Sequence, residues 1–282
     1  MKIITKFSII QKEIKKAKKQ GKTVGFVPTM GALHQGHLSL IRIARRENDL
    51  VVVSIFVNPS QFGPKEDYTK YPRNLELDAE LCGKEKTDII FYPGAKEMYP
   101  CGYNTYVTVE RLSDTLCGKY RPGHFKGVAT VVTKLLNIIN PDIAYFGQKD
   151  AQQAVIIKKL VGDLNMPAKI KIMPTLREKD GLALSSRNVY LNPAERKDAP
   201  VLSQALDLAK GLVKRGVKDT TKIVDAMKHL IKKKKTAKID YISIVGLENL
   251  EPLRKITGSC LIAEAVWIGR TRLIDNIIIG VN

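Results

Sequence analysis

The chain is short of the patterns that would settle its chemistry at a glance. It has four cysteines in 282 residues, Cys82, Cys101, Cys117 and Cys260, and no two form a C-x-x-C pair. That spacing argues against a zinc knuckle or a redox dithiol, and a disulfide framework does not suit a chain of this size. No apolar run approaches the roughly 20 residues a membrane helix needs. Met1 to Phe7 lacks an h-region and a small-residue cleavage site, so the expected location is the cytoplasm. The common phosphate loops are missing too. Gly21-Lys22-Thr23 mimics the tail of a P-loop, but Lys16 stands where the earlier glycine is required, and a strand follows instead of a helix. No G-x-G-x-x-G follows the first strand, and there are no internal repeats.

Acidic residues are also in short supply, 28 against 47 Lys and Arg, which leaves a formal charge of +19. Such an excess can signal nucleic acid, anionic lipid or an anionic substrate. Much of it is blocky, at Lys15, Lys16, Lys18 and Lys19 and again at Lys232 to Lys235. Both blocks fall on amphipathic helical patterns, where a solvated face is the default reading. The expectation is therefore no nucleic-acid partner and no membrane.

What is present is an ordinary soluble composition, 44% hydrophobic and 27% charged. It fits one large or two modest domains. Strand and helix patterns alternate through the first two-thirds. Strands are expected at 24–27, 50–57, 88–92, 143–146 and 170–173. Helices are expected at 8–20, 38–48, 75–84, 128–139 and 151–161. Alternation of this kind implies an α/β domain, a Rossmann-like parallel sheet with helices on both faces. Beyond the polar stretch from Pro174 to Asn188 the order changes. Helices at 193–214 and 220–235 precede strands at 239–245, 260–268 and 273–279, as in a smaller α+β domain. The expected division is 1–175 and 176–282.

The most informative stretch is Pro28-Thr29-Met30-Gly31-Ala32-Leu33-His34-Gln35-Gly36-His37. It joins the first strand to a helix, so two histidines and two glycines sit in a strand-to-helix loop. Ligands of α/β sheets gather at such loops. The unsatisfied N–H groups of the coming helix attract phosphate, and glycine lets backbone approach a ligand. Two imidazoles there can donate to phosphate oxygens whose charge grows in a transition state.

Three further blocks carry polar chemistry. Asn58-Pro59-Ser60-Gln61-Phe62 follows the most apolar strand, and its amides suit a small hydroxylated carboxylate, although Asn-Pro also reads as a plain turn. Arg121-Pro122-Gly123-His124-Phe125 leads, one helix and one strand later, to Gly147-Gln148-Lys149-Asp150-Ala151-Gln152-Gln153. Lys149 offers a point charge for phosphate. Asp150 and Gln153 have the spacing of a capping box. Arg177 to Asn188 ends in Leu184-Ser185-Ser186-Arg187-Asn188, a clamp for a leaving pyrophosphate on a mobile-looking polar linker, or simply a hinge.

The H-x-G-H pattern at His34 to His37 is similar to the signature of the nucleotidyl-transferase superfamily. The P-T-M-G-A-L-H-x-G-H, V-N-P-x-Q-F, R-P-G-H-F…F-G-x-K-D-x-Q-Q and D-G-L-A-x-S-S-R-N blocks, in that order, resemble the pantothenate synthetases (pantoate–β-alanine ligases) over nearly the whole chain. The resemblance implies a Rossmann-like N-terminal domain, a smaller C-terminal lid domain and a homodimer. It implies ATP-dependent condensation of pantoate with β-alanine through a pantoyl adenylate, with Mg²⁺ on the triphosphate. Another H-x-G-H nucleotidyl-transferase is the alternative.

Carried onto this sequence, the family pattern puts Met30, Gly31, Ala32, Leu33, His34, Gln35, Gly36 and His37 along ATP. His34 and His37 meet its phosphates, and His37 is the proton donor. Gly147, Gln148, Lys149 and Asp150 contact adenosine and phosphate, and Lys149 joins the two histidines as catalytic. Leu176 touches the adenine region, and Leu184, Ser185, Ser186 and Arg187 bind the triphosphate. Gln61 and Gln153 hold pantoate, and Gln61 also borders the β-alanine site. Arg121 and His124 shape the pantoate end. The family commonly has methionine where this chain has Leu184, a swap that keeps apolar volume. Asp78 is a possible water-mediated contact to Mg²⁺, and no residue is assigned as a metal ligand.

Overall fold

A run such as Leu50-Val51-Val52-Val53 is apolar on both faces of an extended chain, and only a sheet covered on both sides can bury it. The computed structural model describes residues 1–64 and 66–280 and shows that sheet. In chain order the elements are β1 (Lys2–Ile4), α1 (Phe7–Lys19), β2 (Val24–Thr29), α2 (Gln35–Glu47), β3 (Leu50–Ile55), α3 (Leu75–Lys84), β4 (Ile89–Phe91) and α4 (Ala95–Met98). Then come α5 (Leu116–Tyr120), α6 (His124–Ile139), β5 (Ile143–Gly147), α7 (Ala151–Asp163) and β6 (Lys169–Met173). The strands pair in the order β1-β4-β3-β2-β5-β6, every pair parallel.

Side chains on alternate residues divide between the two faces. Val27, Val51, Val53, Ile55 and Ile90 pack with Leu38, Ile41 and Ala44 of α2 and Cys82 of α3. Phe91 points the other way and meets Phe7 of α1, ring centroids 6.0 Å apart. The α/β sheet expected from the alternation is therefore observed. Its strand order turns at β2, with β3 on one side and β5 on the other. Open α/β sheets bind ligands beyond the carboxyl ends of the strands at such a reversal, here β2 and β5.

The rest of the chain forms α8 (Pro193–Asp198), α9 (Val201–Lys214), α10 (Thr220–Lys232), β7 (Ala237–Gly246), β8 (Cys260–Ile268) and β9 (Thr271–Ile279). The three strands make a separate antiparallel sheet, β7-β8-β9. Leu202, Leu206, Ile223, Met227, Ile262 and Val266 form part of its core with α9 and α10. The structure falls into two compact units, and the second is not continuous in sequence. It comprises Asp114–Tyr120, Gln148–Val155 and Pro174–Asn282.

The short helices α4 and α5 were not expected, and α2 begins three residues before the expected 38; three further differences have a clear physical cause. The single helix expected over 193–214 is two, α8 and α9, because Pro200 has no N–H for the ladder and stands as the N-cap of α9. Strand β1 was not expected; its three residues are too few to show a period, and Ile3 is exposed at the sheet edge. Helix α6 begins four residues early, at His124, because Gly123 takes a positive φ of 80° as its N-cap. No helix among the described residues is long and apolar enough to cross a membrane.

Glu264 is an anomaly in the smaller sheet. It sits on β8 opposite Asp275 of β9, is fully buried, and neither carboxylate oxygen finds a hydrogen-bond partner among the described residues. Burial, then the Asp275 charge, push its pKa well above the ordinary value, against the pull of Arg177. A raised acid pKa means the folded chain holds the proton more tightly than the unfolded one. The group is then stabilising at low pH, and stability falls as pH rises from about 4.5, the ordinary carboxyl value, toward the raised one. Glu264→Val is expected to raise stability by about 1–3 kcal/mol at pH 8 and by less at pH 5. Urea unfolding at both pH values measures it; an equal gain at both would refute the assignment.

Candidate active site

At the carboxyl end of β2 the chain must leave the sheet and enter α2 within a few residues. Thr29 closes the strand: its Oγ1 donates to the Ser54 carbonyl at 2.7 Å and accepts from the Gly31 N–H at 3.1 Å. Gly31 has a φ of 81°, and a Cβ there would lie 2.8 Å from Asp78 Oδ2 and 3.0 Å from Ile55. Asp78, buried on α3, accepts from the N–H groups of Ala32 at 3.0 Å and Leu33 at 2.8 Å. Burial raises the Asp78 pKa, and the two N–H bonds oppose that rise. The loop is thus tied down before His34 is reached.

The histidines themselves cap the helix. His34 is the N-cap residue of α2, and its Nδ1 accepts from the Gly36 N–H at 3.1 Å. His37 reaches back, its Nδ1 accepting from the His34 N–H at 3.4 Å. The ring centroids are 4.1 Å apart. A ring whose Nδ1 accepts carries its proton on Nε2. The backbone therefore selects the Nε2–H tautomer of both rings and gives each a donor directed away from its cap bond. The expected loop placement needs one correction: Gly36 and His37 lie in the first turn of α2. Imidazoles fill both roles of a capping box usually made by Ser or Thr with Glu or Gln, so the sequence pattern did not show it.

The second block forms a 3-10 turn, Pro59–Gln61, capped by Asn58. Buried Asn58 donates from Nδ2 to Gln61 Oε1 and to the Gly127 carbonyl, both at 3.1 Å. With its oxygen thus engaged, Gln61 turns Nε2 toward Met30 Sδ at 3.1 Å. A pantoate candidate and an ATP candidate are in contact here. A chain of polar bonds holds the Gln61 backbone from the other side. Glu66 pairs with Arg121 through two bonds of 2.6 Å, Arg121 Nη1 donates to His124 Nε2 at 2.9 Å, and His124 Nδ1–H donates to the Gln61 carbonyl at 2.8 Å. Burial pushes the Glu66 pKa up, but the Arg121 bonds and charge outweigh it and the net shift is downward.

In the second unit, Gln148–Asp150 is a 3-10 turn running straight into α7, so Asp150 is part of a helical turn and not a cap ahead of one. Asn276 of β9 holds that turn, donating to the carbonyls of Gln148 at 3.0 Å and Lys149 at 2.9 Å. Gln152 is committed to structure, bonding the Cys117 N–H and the Thr115 carbonyl. Gln153, beside it on the first turn of α7, is half-buried.

The expected mobile linker is a built hairpin. Leu184 N–H donates to the Leu176 carbonyl at 3.0 Å and Glu178 N–H to the Leu182 carbonyl at 2.8 Å, around Asp180-Gly181 with Gly181 at φ 92°. Two ATP candidates distant by eight positions, Leu176 and Leu184, are thereby brought together. Arg177 donates to both oxygens of Asp275, at 2.5 and 2.9 Å, and to the Gly181 carbonyl. Arg196 binds Glu178 and Asp180, both at 2.6 Å. Ser185 caps the following 3-10 turn, its Oγ accepting from the Arg187 N–H at 3.2 Å.

Comparison with known proteins gives one answer. A family model described as pantoate-beta-alanine ligase matches residues 2–278. The chain belongs to that family. Pantothenate synthetase of Caldicellulosiruptor saccharolyticus is 55% identical over 281 residues, covering all of both chains. Pantothenate synthetase of Thermus thermophilus superposes with a TM-score of 0.93 at 44% identity, covering 98% of this chain and 99% of the other. A Francisella tularensis pantoate-beta-alanine ligase, solved with "Beta-gamma ATP" and beta-alanine, has a TM-score of 0.80 at 36% identity and covers 99% and 97%.

As a pantoate-beta-alanine ligase the chain is an enzyme of pantothenate synthesis. Within this ligase, Asp78, Asp275 and Asn276 are anchors that the sequence reading did not assign. Each is an ordinary acid or amide in sequence. What marks them is burial with a backbone N–H, a carbonyl or an arginine as partner, and those partners lie 45 to 128 residues away.

Proposed function

We propose that this chain activates pantoate with ATP and then passes the acyl group to β-alanine. The pantoate carboxylate attacks the α-phosphorus of ATP, forming pantoyl adenylate and expelling pyrophosphate. The amine of β-alanine then attacks the acyl carbon, forming pantothenate, releasing AMP and losing a proton. The observation that carries this reading is the imidazole pair capping α2 at the turn of the sheet. Positioning and charge stabilisation dominate phosphoryl chemistry, and fixed Nε2–H donors supply both.

Under this reading Met30 to His37, Gly147 to Asp150, Leu176 and Leu184 to Arg187 serve ATP, and His37 is the proton donor. Gln61 and Gln153 serve pantoate. The ATP complex of the Francisella relative supports ATP as the co-substrate. Magnesium fits as an ion carried by the triphosphate. Among the described residues no three His, Cys, Asp or Glu side chains gather into a cage, and both Asp78 oxygens already accept backbone N–H bonds. Bound there, the ion supplies Lewis-acid stabilisation of phosphate charge. The proposal includes a cytoplasmic homodimer.

The test is AMP release from ATP and Mg²⁺ with pantoate, with and without β-alanine. AMP that requires both substrates, with pantothenate formed alongside, is expected. Pyrophosphate release with another acceptor and no AMP would overturn the reaction. Gln61→Ala is expected to raise the pantoate KM about 10-fold, the effect of losing one buried donor. An unaltered KM would remove Gln61 from pantoate binding.

A further inference from the structure

Gln61 can serve a substrate with either end of its amide, and which end it offers decides what it recognises. Its environment fixes the choice two residues away from the substrate. Asn58 Oδ1 accepts from Tyr99 Oη–H at 2.7 Å, from Ser60 Oγ at 2.9 Å and from the Ser60 N–H at 3.3 Å. Ser60 Oγ and Tyr99 Oη are themselves 3.0 Å apart. The Ser60 N–H can only donate and the Gly127 carbonyl can only accept, which identifies the first atom as oxygen and the other end of Asn58 as the NH2 that binds Gln61 Oε1 and the Gly127 carbonyl; the Tyr99 hydroxyl adds a further donor to that oxygen. One lone pair of the Gln61 oxygen is then held by the Asn58 NH2, which turns that end of the amide toward Asn58 and the Gln61 NH2 away from it, toward Met30.

Tyr99 is well placed to hold this arrangement. It lies just beyond α4, buried enough that desolvation pushes its pKa up to about 12, so the hydroxyl keeps its proton at any working pH. Its ring packs with Phe56 at 6.4 Å and with Tyr103 edge-on at 5.0 Å, with Lys134 Nζ 5.7 Å from the centroid. None of these contacts needs the hydroxyl. The one polar group at the tip of this packed ring is aimed at the amide that orients Gln61.

We infer that Tyr99 is a positioning residue for pantoate: through Asn58 it locks Gln61 with its NH2 outward, so that the site reads an acceptor oxygen of the substrate. This rests on the assignment of Gln61 to pantoate. Flipping Gln61 would bring its NH2 against the Asn58 NH2, a donor facing a donor. Flipping both amides would turn the Asn58 NH2 on Tyr99, where it could bond only to the hydroxyl's lone pair, and on the Ser60 N–H, which could not accept it.

Steady-state kinetics of Tyr99→Phe, Gln61→Ala and the double variant test the relay. Tyr99→Phe keeps the ring and removes only the hydroxyl. The expected result is a pantoate KM raised about 5-fold with the ATP KM within twofold of the parent, and no further rise when Tyr99→Phe is added to Gln61→Ala. An unchanged pantoate KM, or the same rise with and without Gln61, overturns the relay while leaving Gln61 in place. A Gln61→Ala enzyme with the parent's pantoate KM overturns the assignment beneath it. Asn58→Asp is the second variant: it keeps the acceptor for Tyr99 and loses the donor to Gln61, and it should raise the pantoate KM at least as far as Tyr99→Phe.

Discussion

His37→Ala is expected to lower kcat for adenylate formation about 100-fold or more, the size of effect seen when one donor to a developing oxyanion is lost. The argument starts from the cap. His37 Nδ1 is committed to the His34 N–H, so the only group the ring can offer a phosphate is Nε2–H. Alanine removes that donor and also the cap bond, which by itself costs about 0.5–2 kcal/mol of stability. His37→Asn separates the two, because its amide oxygen can take the place of Nδ1 while nothing replaces Nε2–H. Stability near that of the parent with kcat still lost is expected for Asn. Pyrophosphate release with pantoate, measured before β-alanine is added, reads the step directly. A kcat equal to the parent's in the alanine variant removes His37 from the mechanism.

Gly127→Ala is expected to destabilise the fold by about 3 kcal/mol and to raise the pantoate KM at least 10-fold. In an open helix the same substitution would stabilise by roughly 0.5–1 kcal/mol, because glycine gives up more backbone freedom on folding. Here α6 passes so close to the Asn58 turn that a Cβ on Gly127 would lie 2.3 Å from the Ser60 carbonyl oxygen, 2.5 Å from its carbon and 2.7 Å from Gln61 Cα. All three are backbone atoms, so no rotamer change relieves the clash. Either the helix or the turn must move, and the turn carries Gln61. Urea midpoints and pantoate KM give the sign, and a stabilised variant with the parent's KM would show that the close approach is absent.

The parallel sheet was legible because apolar runs and helical spacing repeat in alternation, and those patterns lie within a dozen residues of one another. The four polar blocks were legible for the same reason: each is contiguous. What was not legible is the support beneath them. Asp78 reads in sequence only as a possible water-mediated contact to Mg²⁺, whereas its oxygens accept the Ala32 and Leu33 N–H groups. Tyr99 carries no signal in the sequence at all. The 177–188 stretch reads as a pyrophosphate clamp on a mobile-looking linker, or as a hinge, because its charges look solvated, whereas Arg196 and Asp275 pair with them across 16 to 98 positions. Pro200 was visible and outweighed by the apolar period on either side of it, which is a misjudged local rule and not a missing long-range one.

The Asn276 clamp on the Gln148-Lys149 turn spans 127 positions. A ribosome adding about 5–20 residues per second needs roughly 6–25 s to cover that stretch. Through that interval the nascent Lys149 turn exists without the strand that fixes it, its two carbonyls facing water. The turn proposed to contact the nucleotide is therefore among the last parts of the polypeptide to be finished, and a message truncated before codon 276 yields a chain that carries every block of the signature yet lacks the amide that holds the Gln148 and Lys149 carbonyls.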